Sequence, residues 1–231
     1  MNCGGAIEGD SLAACASCGK VSQPALSGAE MTRMIKEASS DALGAIRRVA
    51  VDPIAGLASS FAVLGEQRAR SAGIAFGVGF ALVAALASFV AASKLTTGGN
   101  FKLIVAVFIS ALVPFVAIAA VSAATRKVVR AAGTIGADLF VAGVALQPLG
   151  LLLILAAILG LDNYQAVAIL GLFAWTYMLC ILFAGSTKLV GVPERFAPPA
   201  IAVMLLAAMW LTKIVATVLF DAGSPLGRFF G

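Results

Sequence analysis

Leu103 to Ala124 reads LIVAVFISALVPFVAIAAVSAA, 22 residues without a charged side chain, between Lys102 and Arg126. As an α-helix rising ~1.5 Å per residue, such a run crosses the roughly 30 Å of hydrocarbon in a bilayer. It is continuously apolar, without the in-out alternation of an outer-membrane β-strand. A transmembrane helix is the reading this stretch imposes.

Working outward, four further runs have the same character: Ala72–Ala92, Ala137–Gly160, Ala166–Gly185 and Pro199–Phe220. The polar gaps between the five runs are short: Lys94 to Lys102, Arg126 to Gly136, Leu161 to Gln165 and Lys188 to Pro198. Short gaps make sequential helices antiparallel neighbours. The expected fold is an all-α integral membrane protein, a five-helix transmembrane bundle. Composition agrees, with 61% hydrophobic and 12% charged residues and a mean hydropathy of +1.04. Soluble domains run nearer half apolar and a quarter charged.

The apolar residues are unevenly placed. Residues 1–71 hold seven of the 11 acids (Glu8, Asp10, Glu30, Glu37, Asp41, Asp52 and Glu66), whereas the chain from Ala72 onward is long apolar blocks. Four parts follow: a cysteine-bearing segment 1–20, a polar linker with amphipathic helices 21–71, the membrane domain 72–221 and a short tail 222–231. Met1 to Lys20 has neither a basic n-region nor an apolar h-region. The N-terminal part is therefore expected to remain cytosolic. Lys and Arg place the membrane domain in the same way. Arg68, Arg70, Arg126, Lys127, Arg130, Lys188 and Arg195 flank one side of the bundle, and Lys94, Lys102 and Arg228 the other. Seven against three predicts a cytoplasmic N-terminus and an external C-terminus in the cell (inner or plasma) membrane. The net charge of +5 fits this asymmetry and does not suggest nucleic-acid binding.

Two helices are expected ahead of the first span. Ser27-Gly28-Ala29-Glu30 has capping-box spacing, and Met31, Met34, Ile35, Ala38, Ala42, Ile46 and Val49 then recur at helical intervals. Asp52-Pro53 reads as an N-cap followed by proline at the first helical position. Ile54, Leu57, Ala58, Phe61 and Leu64 continue an apolar stripe toward Arg68. The stripes suit the inner leaflet, one another, or a protein partner.

Cys15-Ala16-Ser17-Cys18-Gly19 has zinc-knuckle spacing, and Cys3-Gly4 lies upstream of it. The stretch resembles the N-terminal zinc ribbons of many bacterial membrane proteins, in degenerate form. The resemblance implies zinc as a cofactor on Cys3, Cys15 and Cys18, but the first cysteine of a four-thiolate site is missing and Cys180 lies inside the fourth span. Zinc could complete its shell with Asp10, water or another chain. The alternatives are a relic without metal and a disulfide, which a cytosolic setting disfavours. The membrane domain, taken with Asp52-Pro53, resembles the Yip family of Rab-interacting five-span membrane proteins, which has many bacterial relatives. That resemblance covers about residues 41–221 and implies a cytoplasmic N-terminal segment, a helix before the first span, five spans and an external C-terminus.

The absence of histidine removes Ser-His and Cys-His nucleophile pairs and histidine metal ligands. Lys213 lies past the middle of the fifth span, where a charge costs several kcal/mol unless it pairs or snorkels. Its role is a substrate or ion site, or a snorkelling lysine with Asp221 or Asp162 nearby. Asp138, one residue into the third span, is expected at the interface as a helix-start residue. Gln147 sits mid-span beside Pro148, and Pro114 sits mid-span in the second helix, so both prolines are expected to kink their helices. Gly73 and Gly77 permit close approach to another helix. The leading functional expectation is a non-enzymatic scaffold or adaptor that meets the lipid bilayer, a protein partner or a second copy of itself. The alternative is a small transporter or channel subunit using Lys213 and the kinked helices.

Overall fold

The computed structural model describes residues 44, 47–49, 51–95, 101–160 and 163–221. Cys3, Asp10, Cys15 and Cys18, the Ser27–Glu30 box, the stripe from Met31 to Ile46 and the tail 222–231 lie outside them. All described residues belong to one compact unit, Asp41–Gly231. Among them every regular element is helical: α1 (Ala55–Leu95), α2 (Phe101–Val128), α3 (Ile135–Ala145), α4 (Gln147–Leu159), α5 (Tyr164–Lys188) and α6 (Ala197–Asp221). With α3 and α4 taken as one interrupted crossing, five helices are long and apolar enough to span a membrane. The protein is thus a multi-pass helical membrane protein by architecture.

The first crossing differs from its expected form. The sequence separates a helix after Asp52 from a span beginning at Ala72, whereas α1 joins them into 41 residues. Straight, that helix would be ~60 Å long, twice the hydrocarbon thickness. Gly65 breaks it, at φ 69° and ψ 166°, a conformation for which glycine carries no Cβ penalty. Residues 55–64 form an arm, and the rest forms the crossing.

Asp52 starts the arm. Its Oδ1 accepts from the N–H groups of Ala55 at 2.8 Å and Ile54 at 2.9 Å. Gly56 N–H donates to the Asp52 carbonyl at 2.9 Å, the first helical bond, so Asp52 is the N-cap and Pro53 follows at the first helical position. The Ala55 and Ile54 amides hold the Asp52 carboxyl below the usual carboxylate range. Leu57 and Leu64 are buried, and the Phe61 ring lies 5.9 Å from that of Phe140 in α3. This part of the apolar stripe is therefore covered by the protein's own bundle, which the sequence does not foresee.

The centre of the molecule is α3, with nine of its eleven residues buried. Around it, α1 packs on α2, α3 and α4, α5 packs on α3 and α4, and α2 lies along α6. Glycines set the tightest approach. A Cβ on Gly73 would overlap the Leu139 carbonyl and the Phe140 Cα, and one on Gly143 would overlap the Gly73 backbone. Gly77 lies against the Phe115 ring. Two backbones thus touch where α1 crosses α3, as small residues allow in membrane helices. At the basic end the loops after α2 and α5 join, with Gly133 N–H donating to the Val190 carbonyl at 3.1 Å.

Candidate functional site

Two polar arrangements stand inside this apolar frame. The first begins at Thr134, which caps α3 by accepting from Ala137 N–H at 3.3 Å. Asp138 lies in the first turn, where the helix dipole favours a carboxylate. Ser122 Oγ donates to Asp138 Oδ1 at 2.6 Å, and Arg126 Nε donates to Oδ2 at 3.0 Å. Asp138 is 1% exposed and Arg126 15%. Asp138 is a helix-start residue, as expected, and it is buried within the protein as a member of an ion pair. The reason is its place on the central helix, where α2 covers the first turn. Ser122 and Arg126 are one helical turn apart on α2, so they share a face. That spacing is the sequence signal for the pair; its third member lies across the loop.

The second arrangement is the break in the third crossing. Pro148 has no N–H for the Val144 carbonyl, and the helix stops at Ala145 and restarts at Gln147. Gln147 Nε2 donates to the Gly143 carbonyl at 3.2 Å and to the Phe76 carbonyl of α1 at 3.0 Å. The side chain beside the break thereby ties it to the neighbouring helix. Pro114, by contrast, lies within the unbroken α2.

Beside the break, a cavity of about 500 Å³ opens between α1, α4 and α5, lined by Phe76, Phe80, Gln147, Leu151, Phe173 and Tyr177 among others. Its size falls in the ~300–1,000 Å³ range of small-molecule sites. Val49 closes part of it, and the Val49 carbonyl accepts from Tyr177 OH at 2.6 Å. The chain ahead of the arm is therefore fixed to the middle of α5, 128 residues away. Nothing in the local sequence marks that pairing.

Lys213 belongs to neither arrangement. It is an exposed residue of α6 and lines a second cleft, of about 400 Å³, between α2, α5, α6 and the start of α4 at Leu146 and Leu149. The structure thus brings Gly73, Gln147 and Asp138 onto or against the central crossing, and places Lys213 in a cleft that Leu146 and Leu149 of that crossing also line. Among the described residues no cluster of acids and cysteines could hold a metal ion, and Cys180 is an exposed free thiol. Comparison with family models, with curated proteins and with solved structures finds no match to this chain.

Proposed function

We propose that this protein is a non-enzymatic membrane scaffold or adaptor of Yip-like type, with its N-terminus in the cytoplasm and its C-terminus outside the cell membrane. The supporting observation is the attachment of the chain at Val49 to Tyr177, with Leu57, Phe61 and Leu64 seated on the bundle. A chain fixed at Val49 suits an N-terminal segment that presents itself to partners. Its cysteines Cys3, Cys15 and Cys18 supply the surface, with zinc as their cofactor. The test is affinity purification from native membrane in mild detergent, comparing the full chain with one lacking residues 1–40. The reading requires a reproducible partner set that disappears with the truncation while the bundle keeps its unfolding temperature. An unchanged set would refute it.

A second reading, a small transporter or channel subunit, draws on one observation: the interrupted third crossing beside the 500 Å³ cavity. Interrupted helices at a mid-membrane site are the usual architecture of secondary transporters. Solute flux in proteoliposomes that is lost in Gln147→Leu would favour it over the scaffold.

A further inference from the structure

The cleft that holds Lys213 is long and polar at one end. Along α6 it runs from Leu205 to Thr217, twelve residues or ~18 Å of helix. Thr212, Lys213 and Thr217 lie toward one end, whereas Ile118, Leu146, Met178 and Leu205 line the remainder. Lys213 is eight residues before the end of α6, or ~12 Å, and four residues past its middle, or ~6 Å, so it stands within the apolar length of the helix, nearer its middle than its end. A charge at this depth needs a counter-ion or water, and Lys213 has no ion pair among the described residues. The adjacent Thr212 hydroxyl is buried without a hydrogen-bond partner. Such a group in a native structure calls for an explanation. Thr217 is committed elsewhere, donating to the Lys213 carbonyl at 2.8 Å.

A cation near one end of an apolar slot has the form of an amphiphile. We infer that this cleft binds one anionic phospholipid of the surrounding bilayer, its phosphate on the Lys213 ammonium and an acyl chain along Trp175, Met178 and Leu205. The lysine stem snorkels along the slot toward the end of α6 and the ammonium meets a phosphate drawn inward along the same slot, which offsets the desolvation of both charges. The slot exists because α5 and α6 make few contacts with each other while both pack on other helices. The lipid completes this seam. This inference does not rest on the scaffold reading, since lipid retention is measured without any protein partner.

The full chain, purified in mild detergent and stripped of lipid, is titrated with phosphatidylglycerol and, separately, with phosphatidylcholine of the same chains. Binding is read by native mass spectrometry and by the rise in unfolding temperature. The wild type should retain one phosphatidylglycerol per chain and be stabilised by it, with phosphatidylcholine far weaker. Lys213→Met should weaken phosphatidylglycerol about tenfold, the change that ~1.4 kcal/mol produces, and Lys213→Arg should restore it. Ala216→Trp, which fills the polar end of the slot, should displace the lipid even with Lys213 present. Equal retention of the two lipids, or no change in Lys213→Met, would overturn the proposal and leave a snorkelling lysine. Oleate competing as well as phosphatidylglycerol, with the same dependence on Lys213, would overturn the assignment to phospholipid and identify a fatty-acid site.

Discussion

The crossing of α1 over α3 and the seam between α5 and α6 are built from the same apolar alphabet with opposite results. At the crossing, Gly73 and Gly143 bring two backbones into contact, and Phe61, Phe76 and Phe140 fill the space beside them. At the seam, Trp175, Met178, Met209 and Lys213 stand around open volume. Of the most apolar stretch in each span, 44% is buried for the third and 11% for the fifth. In lipid, burial of apolar surface gives helices little reason to associate, so close packing and internal polar bonds decide where they do. The crossing has both. Among the described residues the seam has neither, and the bound lipid inferred above fills it.

The largest effect expected at the tight end concerns the charge pair. Asp138→Ala leaves Arg126 partly buried without its carboxylate and should cost about 3–5 kcal/mol, read as a lower unfolding temperature in detergent. Replacing both residues, as Arg126→Met with Asp138→Leu, should recover most of that loss, because the uncompensated charge is gone. A double variant as unstable as Asp138→Ala would show that the pair is needed for more than neutrality. The glycine contact comes next. Gly143→Ala places a methyl group into the Gly73 backbone and should destabilise by up to about 3 kcal/mol, the cost of overpacking a close-packed site. Gly143→Val should be worse than Gly143→Ala; equal unfolding temperatures for both would mean that the helices part easily.

A smaller effect is expected where the arm is held. Tyr177→Phe removes one hydrogen bond to the Val49 carbonyl and should cost about 1 kcal/mol. Its sharper readout is local. Hydrogen exchange should rise in the backbone around Val49 and at the Asp52 cap, with α3 unchanged. Uniform loss of protection through the bundle would show that the arm is part of the core and not an attachment to it.

These sites differ in how far the sequence exposes them. The crossings are legible because a charge-free run of 20 or so residues has few other uses. Asp52-Pro53 is legible because capping is local chemistry, complete within four residues. Gly73 carries a signal of its own through its spacing to Gly77, but its counterpart Gly143 lies in Val-Ala-Gly-Val-Ala with no pattern around it. The burial of Asp138 depends on α3 being the central helix, which hydropathy cannot say, since lipid-facing and core-facing residues are equally apolar. Gly65 reads as a glycine in a helical stretch until one adds up the length of α1. Tyr177 and Val49 meet only through the tertiary fold, and a lone tyrosine in an apolar span announces no partner.

The smallest effect tests the crossing most cleanly, because the same substitution should change sign between a glycine at the backbone contact and glycines that face open space or an ordinary contact. Glycine in a helix interior costs roughly 0.5–1 kcal/mol relative to alanine through backbone entropy. That gain is available wherever the added methyl group meets open space or an ordinary contact. On α5, a Cβ at Gly171 would have Leu152 Cδ2 as its nearest neighbour, at 3.7 Å, and on α1 a Cβ at Gly79 would meet nothing within 4 Å. Gly171→Ala and Gly79→Ala should therefore raise the unfolding temperature slightly, by an amount equivalent to less than about 1 kcal/mol, while Gly143→Ala lowers it. Gly79 makes the comparison strict, since it shares a helix with Gly73 and differs only in what it faces. If Gly79→Ala proved as harmful as Gly143→Ala, glycine would be serving α1 through its flexibility rather than through contact. The account of the crossing as a backbone-to-backbone junction would then fail, and the contrast with the α5–α6 seam would need another cause.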